Sequence, residues 1–322
     1  MIPPPFIRSV LALLAAFAAG GLAAQTGAPL VPGNSLFSKA NLIEYVPGDL
    51  PIVLTAPHGG HLMPSDIPSR TSGVLDSDAH TQELSRTIAA VLHERTGHHI
   101  HVVISRLHRS KLDPNRDLPE AAVQQTAVAA WTAYHQFIED ACAASIRTHG
   151  WAFLIDLHGH GHKQPQVELG YVHSALDLAD CVERINEPSF AASGSLGLVA
   201  ARSPLPYNEL LHGPTSLGAL LENHGFPATP SPRQPIPGEP FFRGGYTVQR
   251  HCKASRLVTG LQVEANRSRL RDTPAHRLRF ARSFSTALAG FLQTHLDFSL
   301  DGDGGIQPSP PSKPIPSNQP AQ

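Results

Sequence analysis

The stretch Phe153-Leu154-Ile155-Asp156-Leu157-His158-Gly159-His160 decides the reading of this chain. Four of its first five residues are apolar, the pattern of a buried strand, and it ends abruptly in Asp-Leu-His-Gly-His. A histidine at the carboxyl end of a buried strand sits where open α/β sheets place their ligands. A neutral imidazole is a good zinc ligand, and a nearby carboxylate can hold its tautomer. An earlier run, Pro51-Ile52-Val53-Leu54-Thr55-Ala56-Pro57-His58-Gly59-Gly60, has the same form. Two strands that each deliver a histidine to one sheet edge imply a metal site built from distant parts of the chain.

Working outward, short strands are expected at 41–45, 52–56, 100–105, 152–157, 166–173 and 257–264. Leu84, Ile88 and Leu92 recur at helical spacing over 79–96, before Gly97. The Ala-rich segment 118–148 reads as one long helix or two, and 274–295 as a last amphipathic helix. Residues 202–245 are rich in Pro and Gly and read as excursions around the site. Strands alternating with helices imply an α/β layered domain with a mostly parallel sheet. One domain is expected over residues 25–298, followed by a disordered Pro-rich tail at 299–322.

Composition narrows the function classes. Charged residues are 16% and hydrophobic residues 41%, which supports a sizeable core and excludes a wholly disordered chain. A net charge of −1 with no basic face argues against a nucleic-acid partner. Histidines cluster at His58/His61, His98/His99/His101 and His158/His160/His162. A polar loop is the ordinary home of any single one, but clusters that end strands ask for another reason. Residues 1–24 read as a secretory signal peptide. Arg8 supplies its positive start, and the apolar run from Val10 to Leu22 is too short to span a bilayer comfortably. The mature protein is therefore expected in a bacterial periplasm or outside the cell, with no stable membrane insertion after cleavage. Cys142, Cys181 and Cys252 permit one disulfide, whose pairing the sequence leaves open. No Cys-x-x-Cys unit exists, which argues against a cysteine zinc site.

Zinc hydrolysis needs protein ligands, an open position, a base and an oxyanion stabiliser. His58 and His158 are the ligand candidates, each followed by a glycine that would let a ligand approach closely. Asp78, Asp76 and His61 compete for the third position, and Asp78 could equally cap the following helix. Glu264 interrupts a strand that otherwise reads as buried. A carboxylate there is costly unless paired, to Arg267 for example, or used as a general base. The loop Ser105-Arg106-Leu107-His108-Arg109-Ser110-Lys111-Leu112-Asp113-Pro114-Asn115-Arg116-Asp117 gathers four cations. Asn115-Arg116 suits a substrate carboxylate, and Arg106 or Arg109 a developing oxyanion.

Taken in order, Ala-Pro-His58-Gly-Gly, Asp76-Ser-Asp78, Ser-Arg106 through Asp-Pro-Asn115-Arg116-Asp117, Asp156-Leu-His158-Gly-His, Phe-Arg243-Gly-Gly245-Tyr246 and Gln-Val-Glu264-Ala-Asn-Arg267-Ser resemble the N-formylglutamate amidohydrolase family. The series runs from about residue 50 to 295. The resemblance implies a three-layer α/β/α sandwich of the phosphorylase/hydrolase type, related to zinc carboxypeptidases. It implies one zinc ion per chain on His58, Asp78 and His158, with Glu264 as the base. Asn115, Arg116 and Tyr246 fall to substrate binding. His58-Gly-Gly-His61 departs from the carboxypeptidase His-x-x-Glu, so the carboxylate ligand must come from elsewhere, and Asp78 matches the family's Asp-x-Asp motif.

The leading expectation is an exported zinc amidohydrolase acting on a carboxylate-bearing N-acyl amino acid or small peptide. A secreted metallocarboxypeptidase or peptidoglycan-trimming peptidase would use the same site with a wider cleft. A histidine-rich zinc-buffering protein would bind several ions and leave Glu264 and Asn115-Arg116 without a task.

Overall fold

Side-chain alternation along the central strands sends neighbouring residues to opposite sheet faces, and a helical layer covers each face. The computed structural model describes residues 30–254 and 256–300. The expected signal segment lies outside them, as does the Pro-rich tail from residue 301 onward. Phe298 and Leu300 are buried in the core, so the packed chain runs two residues past the expected boundary at 298.

Among the described residues, eight strands form one mixed sheet. They are β1 (Leu36–Phe37), β2 (Ile43–Val46), β3 (Ile52–Ala56), β4 (His101–Ser105), β5 (Ala152–His160), β6 (Val167–Gly170), β7 (Ala228–Thr229) and β8 (Val258–Asn266). The order is β1-β2-β4-β3-β5-β8-β6-β7. Its centre, β4-β3-β5-β8, is parallel, while β2 and β6 join antiparallel at either side. The main helices are α1 (Thr81–Thr96), α2 (Gln125–His149), α3 (Leu217–Asn223), α4 (Tyr246–Ala254) and α5 (Pro274–Leu296). On one face, α1, α3 and α5 pack over Leu54, Ile155, Leu157, Leu261 and Val263. On the other, α2 and α4 pack over Val53, Leu154 and Val258. The architecture is the expected three-layer α/β/α sandwich.

Local chemistry sets the element ends. Gly97 and Gly150 follow α1 and α2 at φ 71° and 79°, and their N–H groups return to the carbonyls of His93 and Ile146. A glycine adopts that left-handed end without a Cβ penalty. The Thr273 side chain accepts from the His276 N–H to start α5, with Pro274 at its first position.

The connections define where a ligand belongs. From β3 the chain crosses through α1 to β4 on one side, then returns through α2 to β5 on the other. The switch point between β3 and β5 opens a crevice beyond their carboxyl ends. His58 follows one of these strands and His158 stands on the other.

The reading of 202–245 as excursions around the site needs correction. Tyr207–His212, α3 and β7 lie within it, and Leu210, Leu211, Leu217 and Leu221 belong to the core on the α1/α5 face. Helices of six or seven residues carry too few turns for periodicity to show. Its end, near Phe242 to Gly245, approaches the polar cluster described next. All three cysteines are free thiols, Cys142 and Cys252 buried and Cys181 exposed. Among the described residues no helix is long and apolar enough to cross a membrane.

Candidate metal centre

Along β5, Ala152 and Leu154 face the α2/α4 layer, and Asp156, His158 and His160 continue the same alternation. One strand face thus changes from core to polar as it leaves the helices. His58 arrives from beyond β3 and is buried against it. Asp78 is returned to the same place because its N–H donates to the His58 carbonyl at 3.1 Å. Thr81 then holds the Asp78 carbonyl through its hydroxyl at 2.9 Å.

Three donor atoms converge. Nδ1 of His58 and Nδ1 of His158 each lie 3.3 Å from Oδ2 of Asp78. The two rings meet edge to face with centroids 4.7 Å apart. Each ring turns its other nitrogen to a buried aspartate. Nε2 of His58 donates to Oδ1 of Asp113 at 2.6 Å, and Nε2 of His158 to Oδ2 of Asp156 at 2.9 Å. A carboxylate on the remote nitrogen fixes the tautomer that leaves Nδ1 free to ligate. Candidate ligand atoms of His58, Asp78 and His158 all lie within 4.8 Å of one another. Two imidazoles and one carboxylate suit a zinc-type ion with a position left open.

The local charge agrees with that fit. Burial disfavours the His158 imidazolium, but Asp156, Asp78 and Glu264 outweigh it and raise its pKa well above the ordinary value. Burial opposes ionisation of Asp78 as well, yet His58 and His158 hold it well below the usual carboxylate range. Three carboxylates within 4.0 Å of one imidazole are a local excess of negative charge that a cation would balance.

The supports of this cluster reassign several expected residues. Arg109 is buried, and it donates to Asp113 at 3.0 Å and to Oδ1 of Asp78 at 3.4 Å. Its guanidinium is committed to orienting two carboxylates, so it is not placed to meet an oxyanion. Arg106 is turned away from the cluster, donating to the Asn41 carbonyl at 2.8 Å and lying over the Phe37 ring. Asn115 is buried as well. Thr247 N–H donates to its Oδ1 at 2.8 Å, which directs its amide nitrogen to within 3.2 Å of Nε2 of His158. The single proton on that nitrogen goes to Asp156, so the Asn115 amide packs against the ring while its Oδ1 is held by Thr247. Arg116 is half-exposed, with its side chain 3.7 Å from exposed Glu120. Its Nη1 donates to the Asn115 carbonyl at 2.9 Å, so the guanidinium lies along the edge of the loop. Tyr246, partly exposed at the start of α4, lies against Trp131 and His135 and accepts from Arg250 at 3.2 Å. His61 and Asp76 are exposed and stand outside the cluster.

Glu264 pairs with His158 across β5–β8 and with Glu168 across β8–β6, so all three share one sheet face. Its Oε1 lies 4.0 Å from Nδ1 of His158 and accepts from Gln262 at 2.7 Å, and Gln262 takes the partner place considered for Arg267. Burial, then the neighbouring carboxylates of Asp78 and Glu168, push Glu264 up to about 8, against the opposing pull of His158 and Gln262. A cation among the three donors would draw it back toward the ordinary range.

Two supports escaped the sequence reading. Asp113 carries no signal beyond its place in a charged loop, yet it is the partner of His58. Arg271 is buried and donates to the carbonyls of Ala79, His160 and Ala265, tying together the segments that carry Asp78, His158 and Glu264. The glycines after the histidines serve these packing needs. A Cβ on Gly159 would stand 2.4 Å from the Arg271 guanidinium, and one on Gly59 2.4 Å from Oγ1 of Thr81. They make room for protein groups, not for a ligand.

No family model and no curated protein matches the chain. Among solved structures it is similar to an N-formylglutamate amidohydrolase from Ralstonia eutropha JMP134, at 14% identity and a TM-score of 0.47 over 79% of this chain and 97% of that one. A gene product of Agrobacterium tumefaciens matches at 12% identity and a TM-score of 0.47, over 78% and 96%. A candidate metallopeptidase from Shewanella denitrificans OS217 matches at 13% identity and a TM-score of 0.34, over 81% and 83%.

Proposed function

We propose that the chain is an exported zinc-dependent hydrolase that cleaves the C–N amide bond of a carboxylate-bearing N-acyl amino acid or small peptide. One observation carries this reading. Two histidines, one just beyond β3 and one on the adjacent parallel β5, aim Nδ1 at one carboxylate oxygen, and each anchors Nε2 on its own buried aspartate. His58, Asp78 and His158 would hold the ion, which when bound supplies Lewis acidity to polarise an amide carbonyl and acidify water.

The remaining work belongs to the chain. Glu264 stands beside the cluster, where its carboxylate would take a proton from the attacking water and return it to the leaving amine nitrogen. Arg116 would pair with the substrate carboxylate, which would orient the scissile amide and favour anionic substrates. Arg109, Asp113 and Asp156 hold the ligand side chains in place and exchange no proton with substrate. The apolar segment at 10–22 supports export to the periplasm or beyond.

The test is a panel of N-formyl, N-acetyl and dipeptide substrates, assayed on purified protein with and without a strong chelator. Hydrolysis of carboxylate-bearing amides that disappears on chelation and returns with zinc supports the proposal. Undiminished activity after thorough metal removal rejects it. Release of C-terminal residues from longer peptides would move the substrate class to that of a metallocarboxypeptidase.

A further inference from the structure

A second cluster lies one strand pair away from the first. His160 follows His158 by two residues on β5 and points to the same face, while Glu168 comes from β6. Together with His162, their ligand atoms all lie within 4.8 Å of one another. His160 and Glu168 are buried, and His162 is partly exposed, which opens the cluster to solvent.

The hydrogen bonds set the direction of each donor. Nε2 of His160 lies 2.9 Å from the Gln166 carbonyl, and a carbonyl can only accept. Nε2 therefore carries the hydrogen, and Nδ1 faces inward as a lone pair, 3.8 Å from Oε1 of Glu168. The other carboxylate oxygen is taken by the Phe242 N–H at 3.1 Å, so Oε1 is left to the cluster. Nδ1 of His162 donates to that same Oε1 at 2.7 Å, and a bound cation would take the place of this proton, leaving the ring hydrogen on Nε2. The contacts already on Nδ1 of His160 are long. The His162 N–H is at 3.2 Å, and the Asn266 amide is at 3.5 Å while donating to the carbonyls of His162 and Gln164. A cation would take up the His160 lone pair and replace the His162 proton on Oε1, and a carbonyl-anchored imidazole is a common way to orient a metal histidine.

We propose that His160, His162 and Glu168 form a second divalent-cation site, suited to zinc-type ions, that fastens the 161–166 loop and Phe242 to the sheet. The Phe242 ring stacks on His162 at 4.9 Å, so the same ion would order the segment leading to Gly245 and Tyr246. Two residues of strand separate His158 from His160 by about 7 Å. The two sites share no ligand, since one draws on His58, Asp78 and His158 and the other on His160, His162 and Glu168. This inference does not depend on the hydrolase reading.

The experiment titrates metal-stripped protein with Zn2+ against a chromophoric chelator. Wild type takes up two equivalents, one tight and one weaker. His162→Ala and Glu168→Gln each lose the weaker equivalent and keep the tight one. Asp78→Asn weakens the tight one and keeps the other, even in a protein with no measurable hydrolysis. In wild type, Zn2+ also slows proteolysis within 161–166, and His162→Ala abolishes that protection. Uptake of a single equivalent by wild type overturns the proposal. So does retention of both equivalents by His162→Ala and Glu168→Gln, or loss of the weaker one through His99→Ala instead. Total stoichiometry then ceases to separate a hydrolase from a zinc buffer, and the residue dependence of each equivalent takes over that role.

Discussion

The two histidine clusters differ in what stands behind each ring. Behind His58 and His158 stand buried aspartates, and Asp78 itself is gripped by Arg109 and the Gly159 N–H. Behind His160 stands a backbone carbonyl, and His162 lies partly in solvent against the exposed ring of Phe242. Charged partners raise ligand basicity and lock orientation, whereas a carbonyl orients without adding charge. Rigidity of this kind suits chemistry, and looser, accessible ligands suit reversible binding. The same fold edge thus holds two levels of preorganisation two residues apart.

The largest expected effect breaks the first cluster. His158→Ala should lower turnover by roughly four orders of magnitude, because the proposed Lewis acid supplies several kcal/mol of barrier reduction. Tight Zn2+ uptake should vanish with it, measured by the same chelator competition. Glu264→Gln should cost on the order of a thousand-fold in kcat while both Zn2+ equivalents remain. Full turnover in that variant would remove Glu264 from the role of base.

A histidine outside both clusters sharpens the contrast, because it is buried with no carboxylate in hydrogen-bond contact. His101 meets the Tyr45 hydroxyl and the Gly48 N–H at Nδ1, both at 3.0 Å. Burial lowers its pKa from 6.5 to about 4. The unfolded chain therefore takes up this proton first as the pH falls. The His101 contribution to stability is intact above pH 6.5 and declines as pH drops toward 4, by about 3 kcal/mol. Urea unfolding of wild type and His101→Gln at several pH values should show this slope in the difference between them. Equal slopes would dismiss it. The smallest effect tests the aspartate behind His58. Asp113→Asn should weaken the tight Zn2+ equivalent about 10–100-fold and leave the weaker one unchanged.

The central strands, α1, α2 and α5 were legible because buried parallel strands read as apolar runs and long helices repeat their pattern. His58, Asp78 and His158 were legible as candidates because each sits just where an apolar strand stops or a helix is about to start. The arginines were not. Arg106 and Arg109 are three residues apart in one charged loop, yet one lies over Phe37 and the other clasps Asp78 and Asp113. Charge density in a sequence does not tell where a guanidinium turns. Arg271 was hidden more deeply, since it stands in the turn after β8 and its task depends on the absence of a side chain at Gly159 on β5. The short helices between 175 and 223 were illegible because their burial comes from tertiary contacts, which a six-residue pattern cannot encode.

Anomalous diffraction at the zinc edge from crystals of the zinc-loaded protein tests the central claim most directly. The strongest peak should lie about 2.0–2.2 Å from Nδ1 of His58, Nδ1 of His158 and a carboxylate oxygen of Asp78. A strongest peak beyond joint reach of His58 and His158, or coordination through Nε2 with both aspartate anchors broken, would contradict it.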